Sequence, residues 1–154
     1  MYSSPPLMQV CAMGNPTAVQ ANPVVQKVRI LIADDHPGIR KAVRFMLQEV
    51  PRFEVCGEAV DGAKAIAAAQ ELKPDVVVLN VTMPVLNGFE AARKIKSTLP
   101  ETAIVILSGN ADQRFIAEAK KIGVQAYVPK TRAVEGLVKA IDTAVAGGDF
   151  VLLD

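Results

Sequence analysis

The sequence predicts an α/β domain in which a parallel β-sheet is covered by helices on both faces. Apolar runs typical of buried strands recur along the chain, and segments with the apolar spacing of amphipathic helices lie between them. Turn residues such as Pro74, Pro100 and Gly123 stand where one kind of segment gives way to the next. Strands separated by helices of this length imply right-handed crossovers and therefore a doubly wound sheet of five β/α units.

The five predicted strands differ in how apolar they are. The first (Val28–Ile32), the third (Val76–Leu79) and the fourth (Ile104–Leu107) are nearly continuous apolar runs, which is typical of central strands buried on both faces. The second, Phe53–Ala59, includes two glutamates, and this mixture favours an edge strand. Val124–Val128 is the fifth strand.

Five helices are predicted between and after these strands, because apolar residues there recur every three or four positions. Each helix can lay one apolar stripe on the sheet. The stripes are Ile39, Val43, Met46 and Val50; Ile66, Ala69 and Leu72; Phe89, Ala92 and Ile95; Ile116, Ala119 and Ile122; and Val134, Leu137, Val138, Ile141 and Val145.

Composition excludes several classes of protein. The 154 residues suit one domain, 51% of them are hydrophobic, and the net charge of +1 gives no sign of a polyanionic partner. Two cysteines, Cys11 and Cys56, and a single histidine, His36, are too few for a disulfide scaffold or a zinc site. The longest apolar runs fall far short of the ~20 residues that span a bilayer. We therefore expect a soluble, cytoplasmic protein that makes no membrane contact.

The chain divides into three parts. Residues 1–26 contain no charged residue but four of the ten prolines, and they are predicted to form a poorly ordered tail. Residues 27–148 form the predicted folded domain, and residues 149–154 a short C-terminal tail.

Polar side chains follow four of the predicted strands, at the sheet edge where open parallel sheets bind their ligands. Asp34 and Asp35 follow the first strand, Asn80 the third, Ser108 the fourth and Lys130 the fifth. Adjacent carboxylates suit Mg²⁺, which takes oxygen ligands, while a hydroxyl and a lysine suit phosphate oxygens. Together these residues predict a pocket for magnesium and a phosphoryl group.

At this point the sequence resembles the receiver domain of two-component response regulators, in particular those of DNA-binding response regulators. The resemblance extends from Lys27 to about Gly148. It rests on the acidic pair in the segment 32–36, the strand 74–79 followed by Met83-Pro84 and Asn87-Gly88, the hydroxyl of Ser108, and the segment 126–130 with its aromatic residue and lysine. Ser108 and Lys130 lie 28 and 50 residues after Asn80, spacings like those of the family.

The resemblance implies the flavodoxin-like strand order 2-1-3-4-5. It also implies roles for single residues: Asp34, Asp35 and the backbone carbonyl of Thr82 as metal ligands, Ser108 and Lys130 at the phosphoryl group, and Tyr127 as an aromatic switch. His36 is expected to help start the first helix.

One departure from the family pattern concerns the phosphoacceptor. Asn80 stands where the family has the aspartate that accepts the phosphoryl group. An amide is nearly isosteric with a carboxylate but is neutral and a poor nucleophile, so no acyl phosphate is expected and Mg²⁺ should bind weakly. Asp75 cannot replace it, because five residues along a strand put it roughly 16 Å away.

We therefore predict a stand-alone receiver protein of phosphorelay signalling that is not an enzyme and acts through protein contacts. Its expected partners are a sensor histidine kinase, another signalling protein, or a second copy bound through helix 4, strand 5 and helix 5. No DNA binding is expected, because the residues after Gly148 are too few for a helix-turn-helix. The alternatives are a flavodoxin-like enzyme that binds a metal or phosphate ligand, and a truncated transcriptional response regulator.

Overall fold

A computed structural model describes residues 26–153 and confirms the alternation of strands and helices. The predicted N-terminal tail, with Cys11, lies outside the described residues apart from Gln26. Within residues 26–153, no helix is long and apolar enough to cross a membrane. In chain order the elements are β1 (Val28–Ala33), α1 (Pro37–Gln48), β2 (Phe53–Ala59), α2 (Gly62–Leu72), β3 (Val76–Leu79), α3 (Gly88–Thr98), β4 (Ala103–Ser108), α4 (Gln113–Ile122), β5 (Ala126–Pro129), a 3₁₀ turn (Lys130–Arg132), α5 (Ala133–Val145) and β6 (Val151–Leu152).

The sheet has six parallel strands in the order β2-β1-β3-β4-β5-β6. The predicted order 2-1-3-4-5 is confirmed, and a sixth strand extends it. Every residue of β3 and β4 is buried, whereas β2 lies at one edge with both of its glutamates exposed. Because all strands run in the same direction, their carboxyl ends form one edge of the sheet.

Helices cover both faces of the sheet, because alternate strand residues point to opposite sides. On one face, Leu31, Val77 and Ile104 pack in a buried cluster with residues of α2, α3 and α4. On the other face, Ile30 and Val78 pack with residues of α1 and α5. The predicted doubly wound packing follows directly from this alternation.

The loop between β3 and α3 is drawn tightly against the end of β3. Asn87 and Glu90 form a capping box that starts α3. Gly88 donates its N–H to the carbonyl of Val81, and a β-carbon at position 88 would lie 2.1 Å from the carbonyl oxygen of Asn80. Only glycine permits this close approach, which holds α3 against the backbone of the predicted acceptor position.

The sixth strand lies in the segment that we expected to be a short tail. Helix α5 ends in a Schellman motif: Gly147, with φ +79°, donates to the carbonyl of Ala144, and Gly148 donates to that of Thr143. This turn reverses the chain. Residues Val151–Leu152 then run parallel to β5 along the outer edge of the sheet.

Candidate functional site

The polar residues predicted to share a pocket lie at the carboxyl edge of the sheet. Asp34 and Asn80 are buried, with 2% and 5% of their surfaces exposed. Asp35 contacts Asn80, and Lys130 contacts Asp34. The structure therefore brings these four residues together, whereas the hydroxyl of Ser108 bonds to the backbone of Asn110.

Asn80 is held by two acceptors. Its amide Nδ2 donates to the backbone carbonyl of Thr82 at 2.8 Å and to Oδ1 of Asp35 at 3.3 Å. A carbonyl and an ionised carboxylate can only accept, so the amide nitrogen has to face them. The amide therefore fills the space between two oxygen atoms that the resemblance assigns to a metal ion.

Asp34 and Lys130 form the second half of the pocket. Lys130 Nζ lies 3.0 Å from Oδ2 of Asp34, in an electrostatic contact that lacks the geometry of a hydrogen bond. The other carboxylate oxygen of Asp34 accepts the backbone N–H of His36 at 2.9 Å, and its backbone carbonyl accepts from Arg40 at 2.8 Å. These bonds fix the buried carboxylate at the start of α1.

The donor set fits Mg²⁺, but the amide of Asn80 would compete with the cation for two of the ligand groups. Asp34, Asp35 and the Thr82 carbonyl supply the hard oxygen atoms that Mg²⁺ prefers, and Oδ2 of Asp34 is buried without a hydrogen bond. The amide of Asn80 already donates to two of the three ligand groups. A cation bound here would have to displace these two hydrogen bonds and would gain no negative ligand from residue 80.

Ser108 and Tyr127 meet at the loop after β4. The hydroxyl of Ser108 accepts the backbone N–H of Asn110 at 3.0 Å and donates to the Asn110 carbonyl at 3.2 Å. The hydroxyl of Tyr127 donates to the same carbonyl. Tyr127 is fully buried, and burial raises the pKa of its hydroxyl. Ser108 is thus turned toward its own loop, and Tyr127 is packed inward.

Asn110 is a site residue that the sequence reasoning missed. Its side chain accepts the backbone N–H of Asp112, which in turn caps α4, while its carbonyl serves both Ser108 and Tyr127. The only available signal was the turn composition Ser-Gly-Asn directly after a strand. Such a turn does not reveal which side chains its carbonyl will bind.

His36 occupies the N-cap position of α1, next to Pro37, but its side chain makes no capping hydrogen bond. Its side chain is 66% exposed, and its Nδ1 lies 3.6 Å and 3.5 Å from Oδ1 of Asp34 and of Asp35. Beside it, Arg40 and Arg44 bind the carboxylate of Glu58. The rim of the pocket next to β2 is therefore charged and largely paired.

An apolar groove of 570 Å³ lies between α1 and α5, beside the pocket. Its lining includes the exposed side chains of Phe45 and Val134, and its charged lining residues are Glu49 and Lys130. An enzyme site typically combines an apolar cavity with several convergent polar groups. The groove does not supply such a set, so it lends no weight to the enzyme alternative.

Comparison with known proteins agrees with this geometry. Residues 30–142 match the family described as "Response regulator receiver domain". A protein of Bacillus subtilis named "Uncharacterized transcriptional regulatory protein YxjL" is 39% identical over 121 residues, which cover 79% of this chain and 56% of that protein. YhcZ of the same organism, also named a transcriptional regulatory protein, is 37% identical over 81% of this chain and 58% of its own length.

Solved structures show the same architecture. A two-component response regulator of the LuxR family from Aurantimonas sp. SI85-9A1 superposes with a TM-score of 0.77 at 32% identity, covering 81% of this chain and 89% of that one. The chain spans just over half the length of the curated relatives it matches. On the strength of the family match over residues 30–142 and the shared fold, the chain belongs to the response regulator receiver domain family.

Proposed function

We propose that this chain is an atypical receiver that signals through protein contacts without phosphorylation at the acceptor position. The observation that carries the proposal is Asn80, which directly follows β3 and donates its amide to Asp35 and Thr82. The lone pair of an amide nitrogen is delocalised, and here both N–H bonds point at acceptors. Residue 80 therefore lacks a nucleophile for an acyl phosphate.

The remaining pocket residues keep the site in one arrangement. The ammonium group of Lys130 lies against the carboxylate of Asp34, and the Asn80 amide donates a hydrogen bond to the carboxylate of Asp35. A weakly bound Mg²⁺, held by Asp34, Asp35 and the Thr82 carbonyl, would supply positive charge toward phosphoryl oxygens. Asn80 is already hydrogen-bonded to Asp35 and Thr82, which supports an output that does not depend on phosphate.

The proposed contact surface is made by α4 and α5, roughly residues 112–121 and 132–142, with β6 covering the edge of β5 between them. Its partners would be a second copy of the chain, a sensor histidine kinase or another signalling protein. Mixed charges on this surface favour pairing across a two-fold axis. Tyr127 is buried, so its part would be to support the surface from within. Charge reversal at Lys121 and Glu135 should abolish association, whereas an effect only from substitutions on α1 would place the contact elsewhere.

A second candidate function is the receiver part of a transcriptional regulator. The relatives YxjL and YhcZ are named transcriptional regulatory proteins, and this chain spans only 56% and 58% of their lengths. A gel shift at near-physiological salt tests whether these 154 residues bind DNA directly. We expect the 154-residue chain alone to show no sequence-dependent binding, and sub-micromolar specific binding would instead favour the transcriptional function.

Phosphorylation of the chain and its variants tests the main proposal. The unmodified chain, incubated with Mg²⁺ and a small phosphodonor, should form no hydroxylamine-sensitive acyl phosphate, and the Asn80→Asp variant should form one. Asn80→Ala is the matched control without amide or carboxylate. Labelling of the unmodified chain that survives Asn80→Ala would show that another residue accepts phosphate. Failure of Asn80→Asp to label would show that the pocket differs from a working receiver at further positions.

A further inference from the structure

The edge of the sheet beyond β5 is closed by the chain itself. Residues 149–153, which we call the C-terminal strap, include β6 (Val151–Leu152), which pairs with β5 in parallel. The N–H of Val151 donates to the carbonyl of Gln125 at 3.0 Å, and the N–H of Leu153 donates to that of Tyr127 at 3.1 Å. The strap thus uses the ladder groups that an edge strand otherwise presents to another chain.

The strap also places its side chains on both faces of the sheet. Phe150 packs against the cluster beneath α4, and Lys120 Nζ lies 5.4 Å from the centre of its ring. Val151 and Leu153 pack against the cluster beneath α5. This alternation is the one expected of a β-strand, and it spaces the aromatic ring and the leucine three residues apart.

A gap in α5 receives the leucine. A β-carbon at Gly136 would lie 2.1 Å from Cδ1 of Leu153. Glycine inside a helix is destabilising relative to alanine, so its presence here calls for a packing reason. Because residue 136 has no side chain, a recess is left on α5, and the side chain of Leu153 fills it. We call this recess the Gly136 seat.

The strap is weakly attached compared with the strands of the core. β6 is two residues long, Leu152 is 39% exposed, and residues 147–149 before it are all exposed. A short, half-exposed strand that follows two glycines opens at a lower free energy than buried strands do. Its release would free the carbonyls of Gln125 and Tyr127 and empty the Gly136 seat.

We infer that the β5 edge is a strand-addition site for an extended peptide with an aromatic residue and a leucine three positions apart, and that the strap is its built-in competitor. The strap shows what fits: main-chain pairing gives affinity, and the contacts beneath α4 and at the Gly136 seat give specificity. An incoming partner segment of this pattern gains the edge by displacing residues 149–153. The inference rests on the proposed function in one respect: it takes the output of the chain to be a contact with another protein.

Peptide binding to the full-length chain tests this inference. The probe is a fluorescent peptide with the sequence of residues 148–153. Phe150→Ser with Leu153→Ser loosens the strap, so this double variant should bind the probe at least tenfold more tightly than the unmodified chain, whose strap competes at an effective concentration in the millimolar range. A control peptide with serine at both of these positions should bind neither protein.

A third substitution separates the seat from the edge. Adding Gly136→Leu to the double variant fills the seat permanently and should lower probe affinity at least tenfold while the edge stays open. Equal probe binding with and without Gly136→Leu, or equal binding by the double variant and the unmodified chain, would overturn the inference.

Nuclear magnetic resonance on the unmodified chain provides a measurement that does not depend on the variants folding. At millimolar unlabelled peptide, amide shifts should concentrate at residues 125–128 and 149–153, and their absence would overturn the inference. Because these measurements do not involve residue 80, their failure would leave the acyl-phosphate result and the receiver proposal unaffected.

Discussion

Replacing Asn80 by aspartate should make the stability of the chain depend on divalent cations. The amide now donates to Oδ1 of Asp35 at 3.3 Å and to the Thr82 carbonyl at 2.8 Å. Aspartate puts a negative oxygen in place of that donor. It therefore faces a carboxylate and a carbonyl across the same distances, at a position that is 5% exposed.

The size of the penalty follows from these distances. Two unit charges 3.3 Å apart, the distance between Asn80 Nδ2 and Asp35 Oδ1, repel by about 5 kcal/mol at an effective dielectric constant of about 20. Lys130, 3.0 Å from Asp34, offsets part of this repulsion. We expect a net loss of about 2–3 kcal/mol in unfolding free energy without cations, which corresponds to a fall in Tm of about 5–10 °C for a domain of this size.

The assay is thermal unfolding of three proteins in excess EDTA and in millimolar Mg²⁺. The Asn80→Asp variant should regain about 1.4 kcal/mol when Mg²⁺ is at ten times its Kd. The unmodified chain should regain less than half of that. Asn80→Ala removes the competing amide without adding charge, so its gain from Mg²⁺ should lie between those of the other two proteins.

The sign of the pH dependence gives a second check. An added carboxylate beside Asp35 has a raised pKa in the folded state, so its protonation relieves the repulsion. The stability deficit of Asn80→Asp in EDTA should therefore shrink as the pH falls and grow as the pH rises through that raised pKa. Equal Tm values for the variant and the unmodified chain in EDTA at neutral pH, or an equal response to Mg²⁺, would refute the assignment of the amide to the cation position.

Three further predictions concern stability and are checked by denaturant or thermal unfolding. Tyr127→Phe leaves the Asn110 carbonyl without its tyrosine donor and should cost about 1 kcal/mol, and because burial raises the pKa of Tyr127, spectroscopic titration should place its ionisation above 10.0. Val85 has a positive φ of 70°, a left-handed conformation that is strained for valine and easier for asparagine, and it is 76% exposed. Val85→Asn should therefore stabilise the fold by about 1 kcal/mol, and the absence of a gain would contradict backbone strain at this position. Burial raises the pKa of Glu58, but Arg40 and Arg44 outweigh this effect and leave that pKa below its usual value. Glu58→Gln should therefore lower the unfolding free energy by about 0.5–1 kcal/mol at neutral pH, and by less as the pH falls.

The sequence predicted the central sheet well, because burial of strands such as β3 is encoded in continuous apolar runs. It missed β6, since Val151 and Leu152 form a strand only through their partner β5 and through Leu153 on the Gly136 seat. A segment of this length has too few residues for a periodic pattern. Contacts between distant parts of the chain decided its structure.

The candidate site was predicted in composition but not in its contacts. The positions of Asp34, Asp35, Asn80 and Lys130 directly after their strands predicted that they share one edge of the sheet, and Asp35 contacts Asn80 while Lys130 contacts Asp34. These positions could not show that the amide of Asn80 turns toward the Thr82 carbonyl or that Ser108 binds Asn110. These orientations depend on which acceptors lie nearby once the loops have folded. The spacing of residues along the chain does not reveal those acceptors.

The loop after β4 and the strap meet at Tyr127. Its hydroxyl is bound to the loop carbonyl that also serves Ser108, and its backbone carbonyl accepts the N–H of Leu153. Movement of this loop would therefore disturb both the buried ring of Tyr127 and the hydrogen bond between its backbone carbonyl and Leu153. If residue 80 supplies no phosphoryl group to draw Ser108 away, the loop has no internal cause to move. Under the two proposals, release of the strap then depends on competition by a partner strand at the β5 edge, and the concentration of that partner becomes the signal.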